Sequence, residues 1–190
     1  MDFAQSADAL FADVTEARRG DRSAAERIIR AHESWVRSII FGVVGRAEHV
    51  DDIAQQVWTQ VWQRLSTLEN PKRLRSWLYS IARHAAIDYG IANKRRSRRF
   101  QTTGEWIEVP ESKRSESAPA DKLARRELHD VLMDAIAALP RIYREPFALR
   151  HLEGWTYAQI GELMEMPIET VETRLVRARR LLRESLSGLA

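Results

Sequence analysis

Apolar residues recur every three or four positions along most of the chain, which is typical of amphipathic α-helices. One long stripe extends from Ile28 to Val43, and a second places Ile53, Val57 and Val61 at steps of four. No segment shows the strict alternation of apolar and polar residues that a half-buried strand requires. The pattern therefore predicts an all-α protein.

The helical pattern is interrupted at residues 100–124, where polar residues, two prolines and a glycine replace it. This composition predicts a flexible linker. The linker would join an N-terminal helical domain, residues 1–99, to a C-terminal helical domain, residues 125–190. Three residues are more apolar than a pure spacer needs and are candidates for docking elsewhere: Trp106, Ile107 and Val109.

Two capping boxes predict where helices begin. In such a box a Ser or Thr side chain accepts a hydrogen bond from the amide three residues later, and a Glu or Gln there reaches back. Ser23 and Glu26 have this spacing, as do Thr156 and Gln159.

Residues 156–180 predict a helix-turn-helix: a short helix, a turn of about three residues at Pro167, and a longer helix. Ala158 is small where the helices would cross. The second helix would turn outward a polar and basic face that can enter a major groove. We predict that this face consists of Thr170, Glu172, Thr173, Arg174, Arg177 and Arg180. The alternative is an ordinary helical hairpin with a charged surface.

Charge is strongly segregated, although the net charge of the whole chain is only +3. Residues 71–100 contain nine basic residues and one acid, a local charge of +8. Such a segment attracts polyanions, nucleic acid first. A solvated helix end or a basic tail would have the same composition.

Several classes of function are disfavoured. The chain has no Cys, so it cannot form disulfides or a Cys-ligated zinc site. It has no apolar run near the roughly 18 residues that span a bilayer and no signal-peptide pattern at its start, so we expect a cytoplasmic protein. Its five His are scattered and no glycine-rich phosphate loop is present, so we expect no enzyme activity, cofactor, metal or small-molecule substrate.

Three blocks together resemble the extracytoplasmic-function (ECF) sigma factors, the smallest members of the sigma-70 family of bacterial transcription initiation factors. The blocks are HVDDIAQQVWTQVWQRL at 49–65, RLRSWLYSIARHAAIDYGIANKRR at 73–96, and ALPRIYREPFALRHLEGWTYAQIGELMEMPIETVETRLVRARRLL at 138–182. The resemblance implies an alternative sigma factor that binds core RNA polymerase, through its beta-prime clamp and its beta subunit, and promoter DNA.

The resemblance assigns polymerase docking to Asp52, Gln55 and Gln56 in the first block. Gln56 departs from the Glu that is usual there, so a neutral contact would replace a charged one. Independently of the family, Asp51 and Asp52 favour a helix N-terminus. Both interpretations can hold, since Gln55 and Gln56 lie one turn further on.

The second block matches the element that recognises and melts the minus-ten promoter motif, preceded by a base-capturing loop at 66–72. The residues implied are Lys72, Arg75, Tyr79, Arg83, His84, Lys94, Arg95 and Arg96. His84 departs from a common Asn. Trp77 could stack on a base, but its place on the apolar stripe favours the core.

The third block matches the domain that reads the minus-thirty-five element, and it implies the outward face of the second helix named above. Glu172 departs from the usual Lys or Arg. It could accept a hydrogen bond from a cytosine amine or pair with a neighbouring Arg. The resemblance also implies an anti-sigma partner, often membrane-bound.

Two other classes of function compete with this interpretation. A free-standing DNA-binding regulator would explain residues 156–180 but not the basic second block. The other is an adaptor that sequesters another factor through its apolar helices. Only a sigma factor would co-purify with core polymerase and direct transcription from a specific start in vitro.

Overall fold

The computed structural model describes the backbone of residues 7–103 and 120–187, and the side chains of residues 9–95 and 127–187. Within these ranges the chain is helical and contains no strand, so the predicted all-α class is confirmed. The helices are α1 (Ala7–Arg18), α2 (Arg22–Val44), α3 (Val50–Arg64), α4 (Leu74–Thr103), α5 (Ala120–Ala138), α6 (Arg141–His151), α7 (Tyr157–Met164) and α8 (Ile168–Ser187). Short 3-10 turns at Ala47–His49, Leu65–Thr67 and Pro71–Arg73 connect α2 to α3 and α3 to α4.

The N-terminal helices pack around α2, whose predicted stripe is buried along almost its whole length. Val36 and Ile40 are fully buried, and they are joined by Ile53 and Val57 of α3 and by Leu78 of α4. Trp77 is half-buried and packs against this core, as its position on the stripe predicts. The helix periodicity therefore identified the apolar faces of all three helices correctly.

The start of α2 differs from the predicted capping box. Asp21, not Ser23, is the N-cap residue, and its carboxylate accepts hydrogen bonds from the amides of Ser23 and Ala24 at 2.8 and 3.2 Å. Asp21 lies directly before the first helical residue, Arg22, so its carboxylate can reach free amides that Ser23, already inside the helix, cannot cap. The prediction of a Ser23 cap was wrong by two residues.

The C-terminal helices α5 to α8 form the second domain. Ile160 of α7 and Val171 and Leu175 of α8 are fully buried, and Ile136 of α5 and Leu149 of α6 join them with almost no exposure. The predicted linker of residues 100–124 is helical at both ends, since α4 continues to Thr103 and α5 begins at Ala120. The apolar linker residues Trp106, Ile107 and Val109 lie outside the described residues.

The two domains pack directly against each other, which the sequence pattern did not predict. Helix α6 lies along α2, and α7 reaches the first turns of α4. The buried apolar side chains of both domains form one continuous cluster. At its centre the rings of Trp35 on α2 and Trp155, just before α7, lie 5.5 Å apart at a tilt of 49°.

His32 is buried beside this contact. It is 4% exposed, its Nδ1 lies 3.0 Å from the Ile28 carbonyl oxygen, and its ring lies 5.9 Å from that of Trp35. Burial lowers the pKa of His32 to about 4, and the positive charge of Arg75 acts in the same direction, although the bond to Ile28 opposes it. His32 is therefore neutral in the folded protein at neutral pH.

We predict that His32 makes stability fall as the pH drops from about 6.5 toward 4. In this range the unfolded chain binds a proton at His32 and the folded chain does not, so the unfolded state gains up to about 1.4 kcal/mol per pH unit. Urea unfolding of the protein and of His32→Leu between pH 4.5 and 7 measures this, and the variant should show the shallower decline. Equal slopes would contradict it. His129→Gln, at an exposed position of α5, is the control.

Candidate polymerase- and DNA-binding surfaces

The predicted helix-turn-helix is present as α7 and α8. Thr156 and Gln159 form the predicted capping box: the Thr156 side chain accepts from the Gln159 amide at 3.2 Å, and the Gln159 side chain accepts from the Thr156 amide at 2.8 Å. The turn reverses at Glu165, whose backbone is left-handed with φ of 53°. The spacing of Thr156 and Gln159 therefore predicted the start of α7 correctly.

The close approach inside the hairpin falls on Gly161 rather than on Ala158. Ala158 is exposed, whereas Gly161 is buried against the turn. A Cβ at Gly161 would lie 2.9 Å from the Met166 carbonyl oxygen, closer than real Cβ atoms come, so only glycine fits. The prediction that Ala158 occupies the crossing was wrong, because the turn folds back on the later of the two small residues in α7.

The outward face of α8 carries most of the predicted minus-thirty-five residues. Glu172, Thr173, Arg177 and Arg180 are exposed, and Thr170 and Arg174 are half-buried. They share this face with further exposed charges, so the side of α8 opposite Val171 and Leu175 is polar and basic as predicted.

A groove of about 350 Å³ runs between α6 and this face of α8. Thr173 and Arg174 line it, and Arg177 donates a 3.4 Å hydrogen bond to the Tyr143 hydroxyl across it. Glu172 makes no ion pair within the described part of the chain, so the pairing with a neighbouring Arg that the sequence allowed is not formed. Its carboxylate is available to a partner.

The predicted minus-ten residues lie along the turn before α4 and on α4 itself. Lys72, His84, Lys94 and Arg95 are exposed, and the side chain of Arg96 lies outside the described residues. Asn70 fixes the turn, because its side chain accepts from the Lys72 amide at 3.0 Å. His84 Nδ1 lies 2.6 Å from the Ser80 carbonyl oxygen one turn back on α4.

Three of the predicted minus-ten residues contact the C-terminal domain. The guanidinium of Arg75 lies 5.8 Å from the ring centroid of Trp155, and Arg83 Nε lies 3.1 Å from a carboxylate oxygen of Glu145 on α6. The half-buried Tyr79 lies beside the same pair, and it lines one pocket together with Arg83 and Glu145. Burial, together with the charge of Glu145, raises the pKa of Tyr79 to about 12.

Arg144 and Glu145 of α6 are the buried functional groups that sequence reasoning missed. They are 8% and 5% exposed, although both are charged. Charged residues are almost never buried without partners. The sequence offered one signal for this: both residues lie close to the apolar residues Phe147 and Leu149 on a short helix.

The predicted docking residues Asp52, Gln55 and Gln56 are all exposed on α3. The neighbouring Asp51 pairs with Arg37 of α2, so within the acidic turn it is Asp51 that has a partner inside the chain. Gln56 lies at a pocket of about 350 Å³ between α3 and α4, which Asp88 and Asn93 also line. The three side chains thus form one accessible polar surface.

The described side chains include no group of three or more His, Asp or Glu placed to hold a metal ion. Among the described helices, none is both long and apolar enough to cross a membrane.

Comparison with known proteins fits this arrangement. The family model "Sigma-70 region 2" matches residues 28–99, and "Sigma-70, region 4" matches residues 129–182. The ECF RNA polymerase sigma-E factor of Escherichia coli is 25% identical over 186 residues, which cover 93% of each chain. The chain belongs to the extracytoplasmic-function subfamily of the sigma-70 factors. It is an alternative sigma factor, and the resemblance stated from the three sequence blocks is confirmed.

Two other relatives also match over nearly their whole length. The RNA polymerase sigma-H factor of Pseudomonas aeruginosa is 26% identical over 179 residues, which cover 93% of both chains. SigW of Bacillus subtilis is 24% identical over 180 residues, which cover 93% of this chain and 96% of SigW. The likeness thus includes both domains.

Two solved structures share the fold. CnrH, in complex with the cytosolic domain of CnrY, superposes with a TM-score of 0.63 at 21% identity, covering 94% of this chain and 97% of CnrH. The sigma factor RpoE of Bartonella quintana, in complex with the anti-sigma factor NepR, superposes with a TM-score of 0.59 at 20% identity. The match covers 85% of this chain and 96% of RpoE.

We predict that Gly161→Ala destabilises the protein by about 1–3 kcal/mol, because the new methyl group must displace the backbone of the turn. Alanine is otherwise the better helix former, by up to about 1 kcal/mol. A loss would therefore report the contact and not helix propensity. Denaturant unfolding followed by circular dichroism measures it, with Ala158→Gly as the control. A stabilised Gly161→Ala protein would show that the hairpin does not need glycine there.

Proposed function

We propose that this sigma factor binds core RNA polymerase through α3 and directs initiation at promoters that it reads with α4 and α8. The observation that supports the proposal is that one chain exposes two separate basic surfaces, on α4 and on α8, and a third, polar surface on α3. A free-standing regulator would need only the α7–α8 hairpin. An adaptor would need neither α8's exposed arginines nor the exposed Lys72, Lys94 and Arg95.

The minus-ten surface combines cations with an aromatic ring, as capture of an unpaired strand requires. Lys72, Lys94 and Arg95 are free to follow phosphates, and Tyr79 could stack on a base once uncovered. Opening DNA costs about 1.4 kcal/mol per base-pair step, and stacking on an aromatic ring returns roughly 1–3 kcal/mol per base. A few captured bases and neutralised phosphates therefore favour a short bubble, with polymerase supplying the rest.

The minus-thirty-five element would be read by α8 in a major groove. Arg174 and Arg177 are suited to guanine or to phosphate, and Thr173 to a base edge or a thymine methyl group. Glu172 is suited to a cytosine amine, since no cation of the described chain engages it. The groove between α6 and α8 gives these side chains access to a ligand from one side.

Docking on polymerase would use the exposed polar surface of Asp52, Gln55 and Gln56. Asp52 supplies the negative charge there, because Asp51 is paired with Arg37. The beta-prime clamp and the beta subunit are the partners that the family implies. Activity of this kind places the protein in the cytoplasm and needs no catalytic residue, cofactor, metal or small-molecule substrate of its own.

An anti-sigma factor, free or anchored in the membrane, would control this activity. The solved relative RpoE is held by the anti-sigma factor NepR, and CnrH is bound by the cytosolic domain of CnrY. We propose that a partner of this kind covers the polymerase- or DNA-binding surfaces of the present protein.

The transcription test uses the purified full-length protein, core RNA polymerase and sheared genomic DNA of the source bacterium, with sequencing of transcript 5′ ends. We predict discrete start sites that share two upstream motifs and are absent with core enzyme alone. Asp52→Lys should lower binding to core polymerase by about tenfold or more, because it reverses a charge at the docking surface. Glu26→Lys, on an exposed face of α2, should not. Promoter-independent transcription alone would refute the proposal.

A second prediction concerns base preference. Glu172→Ala should relax selectivity at one base pair of the upstream element by about 1–3 kcal/mol, because an acceptor for cytosine is lost. Holoenzyme binding to promoters randomised at the upstream element measures it. The control is Glu127→Ala, at an exposed position of α5. An unchanged preference in Glu172→Ala would mean that Glu172 reads no base.

A further inference from the structure

A pocket of about 740 Å³ lies where the end of α2, the middle of α4 and the start of α6 meet. We call it the basic pocket, and the polar and aromatic side chains that define it are those of Arg46, His49, Tyr89, Asn93, Lys94 and Arg141. Its volume falls within the range of about 300–1,000 Å³ that is typical of ligand-binding pockets. Of these residues only Lys94 belongs to a predicted promoter- or polymerase-binding surface, so the pocket as a whole has no assigned role.

The charged side chains of the basic pocket all have the same sign. Arg46, Lys94 and Arg141 line it from exposed positions. The buried Arg144 lines it too, and since its guanidinium is already bonded to backbone carbonyls, it contributes charge rather than a free donor. No Asp or Glu is among the described residues that line the pocket. A concave surface of this kind attracts anions.

The cations of the pocket also act on one another. Burial lowers the pKa of Arg144, and the positive charge of Arg141 acts in the same direction, although Glu145 opposes it. Glu145 lies 3.3 Å from Arg141 Nε, but it also pairs with Arg83, so its one negative charge is shared. An anion bound in the pocket would therefore reduce a repulsion that the described acids offset only in part.

Two of the lining cations can turn to a ligand at little cost. Lys94 forms no ion pair with a described side chain, and Arg46 pairs only with the exposed Glu48, at 3.4 Å, within the same part of the chain. Exposed pairs of this kind contribute little free energy, so Arg46 can exchange Glu48 for a ligand. Arginine binds a phosphate through paired hydrogen bonds, and lysine binds it as a point charge. Three cations around one pocket match a chain of phosphates better than a single carboxylate.

The remaining wall of the basic pocket suits a flat ring. The rings of His49 and Tyr89 lie 5.0 Å apart at a tilt of 52°, and the half-buried Asn93 follows Tyr89 by one turn of α4. Val44 and Ile87 add apolar surface. An aromatic ring can stack on a nucleobase, and a carboxamide can both donate to a base edge and accept from it. The pocket thus combines groups for phosphates with groups for a base.

Gly90 leaves space in the pocket that it lines on α4. A Cβ built at this position meets nothing within 4 Å, so crowding does not require glycine there. Glycine is also a poor helix former, and Gly90 lies in the interior of a 30-residue helix. A larger side chain at this position would occupy the space of a ligand and would displace no other part of the fold.

Phosphate groups could come from a DNA strand or from a free nucleotide. An extended strand needs a continuous exposed track, which Lys94 and Arg95 can supply on the surface of α4. The basic pocket is instead concave, and its three exposed cations come from the turn after α2, from α4 and from α6. Cations that converge from three directions fit a compact ligand better than a strand.

We propose that the basic pocket binds a nucleoside polyphosphate, with its phosphates on Arg46, Lys94 and Arg141 and its base against Tyr89 and Asn93. This site goes beyond the proposed function, because it needs neither polymerase nor promoter. The nucleotide contacts both domains, since Arg141 belongs to the C-terminal one. It also uses Lys94, which the proposed function assigns to DNA, so nucleotide and promoter strand compete for that side chain.

Binding is tested with the full-length protein alone and ATP that carries a fluorescent N-methylanthraniloyl group on its ribose. Fluorescence anisotropy should show saturable binding that unlabelled ATP reverses. Inorganic triphosphate supplies the phosphates without the base, and it should compete about tenfold less well than ATP because the stacking contact is missing. No saturable binding up to about 1 mM nucleotide would overturn the proposal. Equal competition by inorganic triphosphate would overturn it as well, because the pocket would then read only phosphate.

The location of the site is tested by filling the pocket. Gly90→Leu should weaken binding of the ATP analogue by about tenfold or more, because the new side chain takes the ligand's place. Gly90→Ala is the matched control, since it adds one methyl group and should keep most of the affinity. Both substitutions improve helix propensity, so neither should lower the midpoint of thermal unfolding. A loss of binding in Gly90→Leu with an unchanged midpoint therefore reports occupation of the pocket and not loss of structure.

The contribution of charge is tested with Arg46→Ala, which should weaken nucleotide binding by about tenfold because a charge-assisted hydrogen bond is lost. Arg30→Ala is the control, because it also removes an exposed arginine of the N-terminal domain that pairs with a nearby acid, Glu26 at 3.1 Å. Unchanged affinity in both Gly90→Leu and Arg46→Ala would place the nucleotide elsewhere and overturn the proposal.

A fluorescent single-stranded oligonucleotide of mixed sequence separates the pocket from the DNA surface. Gly90→Leu should leave its affinity within about twofold, because a strand on the exposed face of α4 does not enter the pocket. If the oligonucleotide loses as much affinity as the nucleotide, the pocket is part of the DNA surface and the proposal fails. All these measurements use the sigma factor alone, so their outcome does not depend on whether promoter-dependent transcripts are found.

Discussion

The guanidinium of Arg144 is the contact on which the arrangement of the two domains depends. It donates to backbone carbonyls at the end of α2 and at the end of α5, so it joins two helix C-termini that would otherwise need water. Burial lowers the pKa of Arg144, and Glu145 beside it offsets part of that cost. An apolar side chain could fill the same space but could not satisfy the carbonyls. Three further side chains of the C-terminal domain contact the N-terminal domain beside it. Glu145 pairs with Arg83 of α4, Glu153 accepts from the hydroxyls of Ser34 and Ser38 of α2, and Trp155 packs on Trp35.

Under the proposed function, the same side chains of α4 have two tasks. Arg75 and Arg83 must be cationic and accessible to serve a nucleic acid, and those properties also suit them to partners within the chain. Lys72, Lys94 and Arg95 are exposed. The proposed minus-ten residues therefore divide into two groups: Arg75 and Arg83 contact the C-terminal domain, whereas the three exposed residues make no hydrogen bond or ion pair with its described side chains, although Lys94 lines a pocket with residues of α6.

Much of this architecture could be predicted from local sequence, and the parts that could not share one cause. The buried stripe of α2, the capping box of Thr156 and Gln159 and the polar face of α8 depend on residues within one or two turns of each other. The two wrong predictions, a helix cap at Ser23 and a close helix crossing at Ala158, also have a local cause. A nearby residue takes each role instead: Asp21 caps α2, and Gly161 makes the close approach. Arg144 and Glu145 are different. Their partners in the N-terminal domain lie 62 to 102 residues away, and helix periodicity carries no information about which distant surface a buried charge meets.

The polar contacts between the two domains are specific in position, but each one contributes little free energy. A typical hydrogen bond contributes about 0.5–1.5 kcal/mol net, because its partners return to water when it opens. Carbonyls at the end of α2, the Glu153 carboxylate and the arginines of α4 can all be hydrated in an opened form. The apolar part of the contact has no such replacement: Trp35 and Trp155 pack together within a cluster of buried apolar side chains that includes both domains. Apolar packing therefore holds the two domains together, and the polar contacts fix their relative position.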